Sequence, residues 1–301
     1  MRHPVQYDHG DPSVFGGAIP NPPDFERARI VVLPIPFDRT TSYVPGTRNG
    51  PREIIQASSH MELWDEELES DVLHEAGIFT LPEMELPFGE MEPALAEIER
   101  VASEILGQEK FLVALGGEHS ITPPLVAAAA RRHRGLHVLQ IDAHADLRDS
   151  YMGTPHNHAC AMRRVLEHVP ATQVAVRSLS ADEAEVLASL KTTVFFDHDM
   201  RRETDWVDRI VATLGDPVYI TVDVDGLDPA IMPSTGTPEP GGLSWYEALA
   251  LLRAVFAGRT VVACDLVELS PLPPLVAPNF LCAKLVYKML GYRFARRAGG
   301  R

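Results

Sequence analysis

Short apolar runs alternate along the chain with segments whose apolar positions recur at helical spacing. The runs predict strands at Ile30 to Ile35, Phe111 to Leu115, Leu136 to Ile141, Gln173 to Val176, Thr193 to Phe196, Val218 to Val222 and Val261 to Leu266. Several are nearly continuous Val, Ile and Leu, as parallel strands covered on both faces require. Helices are predicted between them at Glu92 to Leu106, Pro123 to Arg132, Ala159 to His168, Ala181 to Leu190, Trp206 to Leu214, Trp245 to Phe256 and Asn279 to Arg296. Ser180 and Ser244 each precede a Glu three residues on, the pattern of a capping box. Thr122 before Pro123 predicts a hydroxyl cap with proline at the first helical position. The alternation predicts an α/β fold, a single three-layer α/β/α sandwich with a doubly wound, mainly parallel sheet over residues 29–296. Residues 1–28, rich in Pro, Gly and Asp, form an N-terminal arm, either disordered or packed on this subunit or a neighbour, and 297–301 a tail.

Composition is that of an ordinary globular chain, 45% hydrophobic and 23% charged over 301 residues. The net charge of -15 argues against nucleic acid or an anionic membrane as a partner and suits a cationic substrate. No run approaches the roughly 18 apolar residues of a membrane span, and the first residues lack an apolar signal region, so the cytoplasm is the expected location. Three cysteines, Cys160, Cys264 and Cys282, stand at no zinc-like spacing, and Cys264 and Cys282 are expected to be buried, inert thiols.

Two segments carry the candidate chemistry. Asp142-Ala143-His144-Ala145-Asp146 and Asp223-Val224-Asp225 each close an apolar run and set hard metal ligands two residues apart. Alternate positions of a strand point one way, so these five ligands are expected to converge. In a doubly wound sheet, ligands bind beyond the carboxyl ends of the strands. Gly116-Gly117 lets the chain turn there, so that His119 joins the same rim. The set of His119, Asp142, His144, Asp146, Asp223 and Asp225 gathers more charge than a protein interior holds without cations. It is oxygen-rich and lacks thiolate, which favours Mn(II) and leaves Fe(II), Co(II) and Zn(II) open. A water between two such ions ionises near neutral pH, and the spare oxygen of Asp146 would orient it.

Gly116-Gly117-Glu118-His119-Ser120, Asp142-Ala143-His144-Ala145-Asp146 and Thr221-Val222-Asp223-Val224-Asp225-Gly226-Leu227-Asp228-Pro229 resemble the three signatures of the ureohydrolase family, which includes arginases and agmatinases. Ser234 to Leu243 extends the resemblance, and Pro36 to Pro51 is similar to bacterial agmatinases more than to arginases. The resemblance implies two Mn(II) per subunit held by the six residues, and hydrolysis of a small cationic guanidino substrate to urea and an amine. It implies that Glu268 binds the guanidinium, as a carboxylate does through two parallel hydrogen bonds. It also implies a proton-transfer histidine in the loop after Asp146, where His158-Ala159 followed by Arg163-Arg164 fits better than His156. A homo-oligomer, trimer or hexamer, is expected, to which the arm could contribute.

The substrate is less sharply defined. Arg148 and Asp149 stand where an arginase would carry Asn, so recognition of an α-amino acid is not expected, and agmatine, giving putrescine and urea, is the favoured substrate. Arg148 would suit the carboxylate of 4-guanidinobutyrate unless Asp149 or another acid neutralises it, and Glu239 is a candidate for the far ammonium of agmatine. Two other readings are a metal-dependent deacetylase of the same fold and a non-catalytic relative. The complete ligand set and the presence of Glu268 stand against both.

Overall fold

Each predicted apolar run is a strand of one eight-stranded parallel sheet. The computed structural model describes residues 14–17 and 22–295. In chain order the strands are β1 (Ile30–Ile35), the two strands of a small hairpin, β2 (Trp64–Asp65) and β3 (Ser70–Asp71), then β4 (Ile78–Thr80), β5 (Phe111–Gly116), β6 (His137–Ile141), β7 (Ala171–Val176), β8 (Thr192–Phe196), β9 (Val218–Asp223) and β10 (Val261–Val267). The sheet order is β4-β1-β5-β10-β9-β6-β7-β8. The last two strands are thus inserted between β5 and β6, and the four central strands are those that the sequence marks as site-bearing.

Helices cover both faces. Alternate residues of β1 separate into two cores, Ile30 and Val32 on one side and Val31 and Leu33 on the other. The first core is closed by α1 (Gly50–Ser58), α8 (Trp206–Thr213), α9 (Trp245–Gly258) and α10 (Ala277–Phe294), through residues such as Ile54, Ile210, Leu252 and Val286. The second is closed by α3 (Met91–Gly107), α4 (Thr122–Arg132) and α5 (Ala161–Val165). The short helices α2 (Val72–Ala76), α6 (Ala181–Val186) and α7 (Asp197–Met200) complete the chain. This is the three-layer α/β/α sandwich with a doubly wound parallel sheet that the alternation predicts.

Local differences have local causes. The capping boxes at Ser180 and Ser244 are both formed. The expected cap at Thr122 is not. Ile121 is the cap residue, and the Thr122 hydroxyl instead donates to the buried carboxylate of Asp265 at 3.1 Å. The predicted helix Ala159 to His168 is a 3-10 turn, His158–Cys160, followed by α5, and Ala181 to Leu190 likewise divides into α6 and a 3-10 turn. Of the arm, residues 14–17 and 22–28 are described; Phe15 and Phe25 are buried, and the Phe15 N–H donates to Thr80 Oγ1 at 2.9 Å. The tail 297–301 and Arg296 lie outside the described residues. All three cysteines are free and buried.

Candidate active site

The carboxyl ends of β5, β10, β9 and β6, four neighbours in the sheet, deliver His119, Glu268, Asp223 with Asp225, and Asp142 with His144 and Asp146 to one rim. Gly116-Gly117 is needed there for closeness rather than for a left-handed turn. A Cβ on Gly117 would lie 1.9 Å from the Phe37 carbonyl oxygen, and one on Gly116 would lie 2.4 Å from Ile121. The backbone passes beside Phe37, two residues past the end of β1, where the Glu118 N–H donates to the Phe37 carbonyl at 2.7 Å. His119 is thereby turned inward and buried.

The spacing of two in the aspartate pairs works differently from the strand alternation expected above. Asp142 lies just past β6, and Asp225 lies in a 3-10 turn past β9. In each pair the first aspartate accepts the backbone N–H of the residue two ahead, Asp142 from His144 at 2.5 Å and Asp223 from Asp225 at 2.9 Å. Asx turns, not pleating, therefore fold these ends inward. The Ala143 N–H then donates to Asp225 at 3.0 Å and ties the two turns together. Asp146 and Glu268 complete the rim with φ of 53° and 66°, backbone positions that L-residues rarely adopt.

Two groups result, His119 with Asp142 and Asp223, and His144 with Asp142 and Asp225. Asp142 belongs to both. His119 Nδ1 lies 3.0 Å from Asp142, 3.1 Å from Asp146 and 3.5 Å from Asp223, and His144 Nδ1 lies 3.0 Å from Asp225 and 3.6 Å from Asp142. The other ring nitrogen of His119, Nε2, is 2.9 Å from Thr221 Oγ1, whose own hydrogen goes to Asp265 at 2.6 Å. Nε2 therefore carries a hydrogen whether the ring is neutral or charged. Burial opposes charge on this ring, yet without ions Asp142, Asp146 and Asp223 raise it well above its ordinary value. Nδ1, the atom left to bind an ion, faces those three carboxylates. That juxtaposition is repulsive without a cation and favourable with one. The donor set fits two divalent ions.

The electrostatics agree. Burial pushes the carboxyls of Asp223 and Glu268 well above their usual range and that of Asp146 up to about 7, while the neighbouring imidazoles hold Asp142 down. Burial opposes charge on His144, yet the surrounding aspartates raise it to about 12. Without ions, protons stand in for the missing positive charge.

Glu268 accepts the His119 backbone N–H at 2.7 Å and lines a cleft of about 220 Å³ together with both histidines of the groups. His158 lines the same cleft, and burial holds its imidazole down to about 4. His156 turns away, toward Glu92 of α3 at 3.6 Å. Glu239 stands at 4.0 Å from His144 Nε2. Arg148 lines the cleft, stacked over Tyr151, and its acid partner is Glu183 at 3.8 Å. Asp149 instead pairs with Arg163 and Arg164. The sequence does not single out Thr40, Glu118, Thr221 or Asp265, and it marks Glu183 only as part of a capping box; an acid inside the apolar run Val261–Val267 is the available signal for Asp265.

A parallel sandwich with two His/Asp groups sharing one aspartate at its carboxyl rim defines a protein of the arginase fold. The chain belongs to the arginase family, whose model matches residues 28–291. It is a hydrolase of that family. It is 41% identical to the N(1)-aminopropylagmatine ureohydrolase of Synechocystis sp., covering 89% of this chain and 90% of that protein. It is 34% identical to the agmatinase of Bacillus cereus, covering 83% and 86%. Among solved structures, the agmatine ureohydrolase of Thermoplasma volcanium superposes with a TM-score of 0.82 at 33% identity, covering 90% of this chain and 92% of that one. No described helix is long and apolar enough to cross a membrane.

Proposed function

We propose that this protein hydrolyses the guanidinium of a linear guanidinoalkylamine, N1-aminopropylagmatine ahead of agmatine, releasing urea and the free amine. The observation that carries the reaction type is the placement of Glu268 in one cleft with the paired His/Asp groups. The substrate preference is supported by the relatives named for aminopropylagmatine, 39% to 41% identical against 31% to 34% for those named agmatinase.

His119, Asp142, Asp146 and Asp223 would hold one ion, and His144, Asp142 and Asp225 the other, manganese being the family's general metal. Bound there, two divalent ions supply Lewis acidity, bringing the ionisation of water toward neutral pH and offsetting negative charge in the transition state. Glu268 holds the planar guanidinium by parallel hydrogen bonds and aims its carbon at the rim. Asp146 orients the attacking water through its spare oxygen. His158, neutral at rest, collects a proton through one ring nitrogen and passes it to the departing amine. Arg148 is occupied by Glu183, which favours a substrate without a carboxylate.

Urea release measured in parallel with N1-aminopropylagmatine, agmatine, 4-guanidinobutyrate and arginine tests the proposal. The expected order of kcat/KM is the order of that list. Preference for arginine or 4-guanidinobutyrate would overturn the substrate reading.

A further inference from the structure

Beside His119 stands a second buried acid, Glu118, that belongs to neither His/Asp group. Its carboxylate accepts the Thr40 backbone N–H at 2.6 Å, the Ser120 hydroxyl at 2.5 Å and the Thr40 hydroxyl at 2.8 Å. A carboxylate with this set of donors acts as acceptor only, and a threonine hydroxyl has a single hydrogen to give. With that hydrogen spent on Glu118, Thr40 Oγ1 can only accept from its remaining neighbours. Those neighbours both belong to His158, the backbone N–H at 3.0 Å and ring Nδ1 at 3.2 Å. Nδ1 must therefore carry the ring hydrogen of the neutral imidazole. Nε2 is left with the lone pair, 3.4 Å from the exposed Ser42 hydroxyl.

We propose that Glu118, acting through Thr40, is a positioning group for His158: it fixes the Nδ1–H tautomer, so that Nε2 is the atom that takes up the proton and hands it to the leaving amine. The inference rests on the reading of His158 as the proton-transfer residue. It brings three distant parts of the chain into one chain of hydrogen bonds: the loop after β1, the turn after β5 and the loop after Asp146. An imidazole in the wrong tautomer offers a hydrogen where the reaction needs a lone pair, which is why orienting groups of this kind matter out of proportion to their hydrogen-bond energy.

The test measures turnover of the manganese-loaded protein with agmatine as substrate, and records nitrogen-15 NMR of the imidazoles in protein loaded with diamagnetic Zn(II). Thr40→Val removes the acceptor and keeps the shape; Thr40→Ser restores it; Glu118→Gln removes the charge that orients the hydroxyl. Expected for Thr40→Val is a kcat about 10- to 100-fold lower with little change in KM, the range of lost orienting contacts, and a His158 signal no longer confined to the Nδ1–H form. Thr40→Ser should recover both, and Glu118→Gln should follow Thr40→Val. Wild-type kcat and an unchanged Nδ1–H signal in Thr40→Val, with His158→Ala inactive, would overturn the proposal while leaving His158 in its role. Full turnover by His158→Ala would remove the proton-transfer reading itself, and the proposal with it.

Discussion

His119 and Thr221 are joined through the ring nitrogen that does not face the aspartates. Thr221 accepts from Nε2 at 2.9 Å and donates to Asp265 at 2.6 Å, and Asp265 also receives Tyr219 at 2.7 Å and Thr122 at 3.1 Å. This buried network holds Nδ1 toward Asp142, Asp146 and Asp223. Thr221→Val is expected to weaken metal retention about 10- to 100-fold, read by metal content after dialysis against a graded chelator. It also leaves a buried N–H unpaired, so the melting temperature should fall by an amount corresponding to about 1–3 kcal/mol. Wild-type retention would separate the network from the metal groups.

Gly117 is fixed by contact, since a Cβ there would lie 1.9 Å from the Phe37 carbonyl oxygen, a backbone atom with little freedom to retreat. Gly117→Ala is expected to cost about 1–3 kcal/mol or more, as overpacking does, and to displace Glu118 and His119 together. Thermal unfolding and metal content are expected to fall in parallel. A stable variant with full metal content would contradict this.

The pH dependence of metal binding follows from the same cluster. In the metal-free protein His144 is raised to about 12 and Asp146 to about 7. Both are raised above their unfolded values, so both hold protons in the folded state that they lack when unfolded at intermediate pH. The stability these two groups contribute to the metal-free fold is therefore lost as pH rises through about 7 and then about 12, and ions that replace those protons bind more tightly as pH rises. Titration calorimetry with Mn(II) between pH 6 and pH 8 should show proton release and rising affinity; affinity that falls with pH would have the wrong sign.

Arg148 is held by Glu183 at 3.8 Å, and Glu183 also accepts the Leu147 and Ser180 backbone N–H groups. Glu183→Gln keeps most of these contacts and releases the guanidinium. The ratio of kcat/KM for 4-guanidinobutyrate to that for agmatine is expected to rise about fivefold, because a partly exposed pair is worth at most about 1 kcal/mol. An unchanged ratio would show that Arg148 does not reach the substrate.

Much of the fold is legible because the β1 and β5 runs, Ile30–Ile35 and Phe111–Gly116, are nearly pure apolar sequence, and parallel strands of this kind have few alternatives. The three-residue β4 and the helix Gly50–Ser58 are not, since a strand so short has no period and α1 begins at a Gly-Pro pair that reads as a turn. Spacing names five candidate ligands and the glycine pair adds His119, yet strand alternation is not what brings the aspartates together. Alternation along a strand does not bring Asp223 and Asp225 together; the Asx turn does, and it depends on hydrogen bonds that no hydrophobic pattern records. Thr40 and Glu118 were hidden for a related reason. Their pairing joins residues 78 positions apart, and nothing local in either segment announces it.

Asp142 is, among the described residues, the one shared by both His/Asp groups. The most direct measurement is metal content together with urea release from N1-aminopropylagmatine and agmatine, for the manganese-loaded wild type and for Asp142→Asn. Two ions per chain and urea production are expected in the wild type, and loss of both in the variant. Two ions and normal turnover in Asp142→Asn, or no urea from any guanidino compound with the wild type, would contradict this.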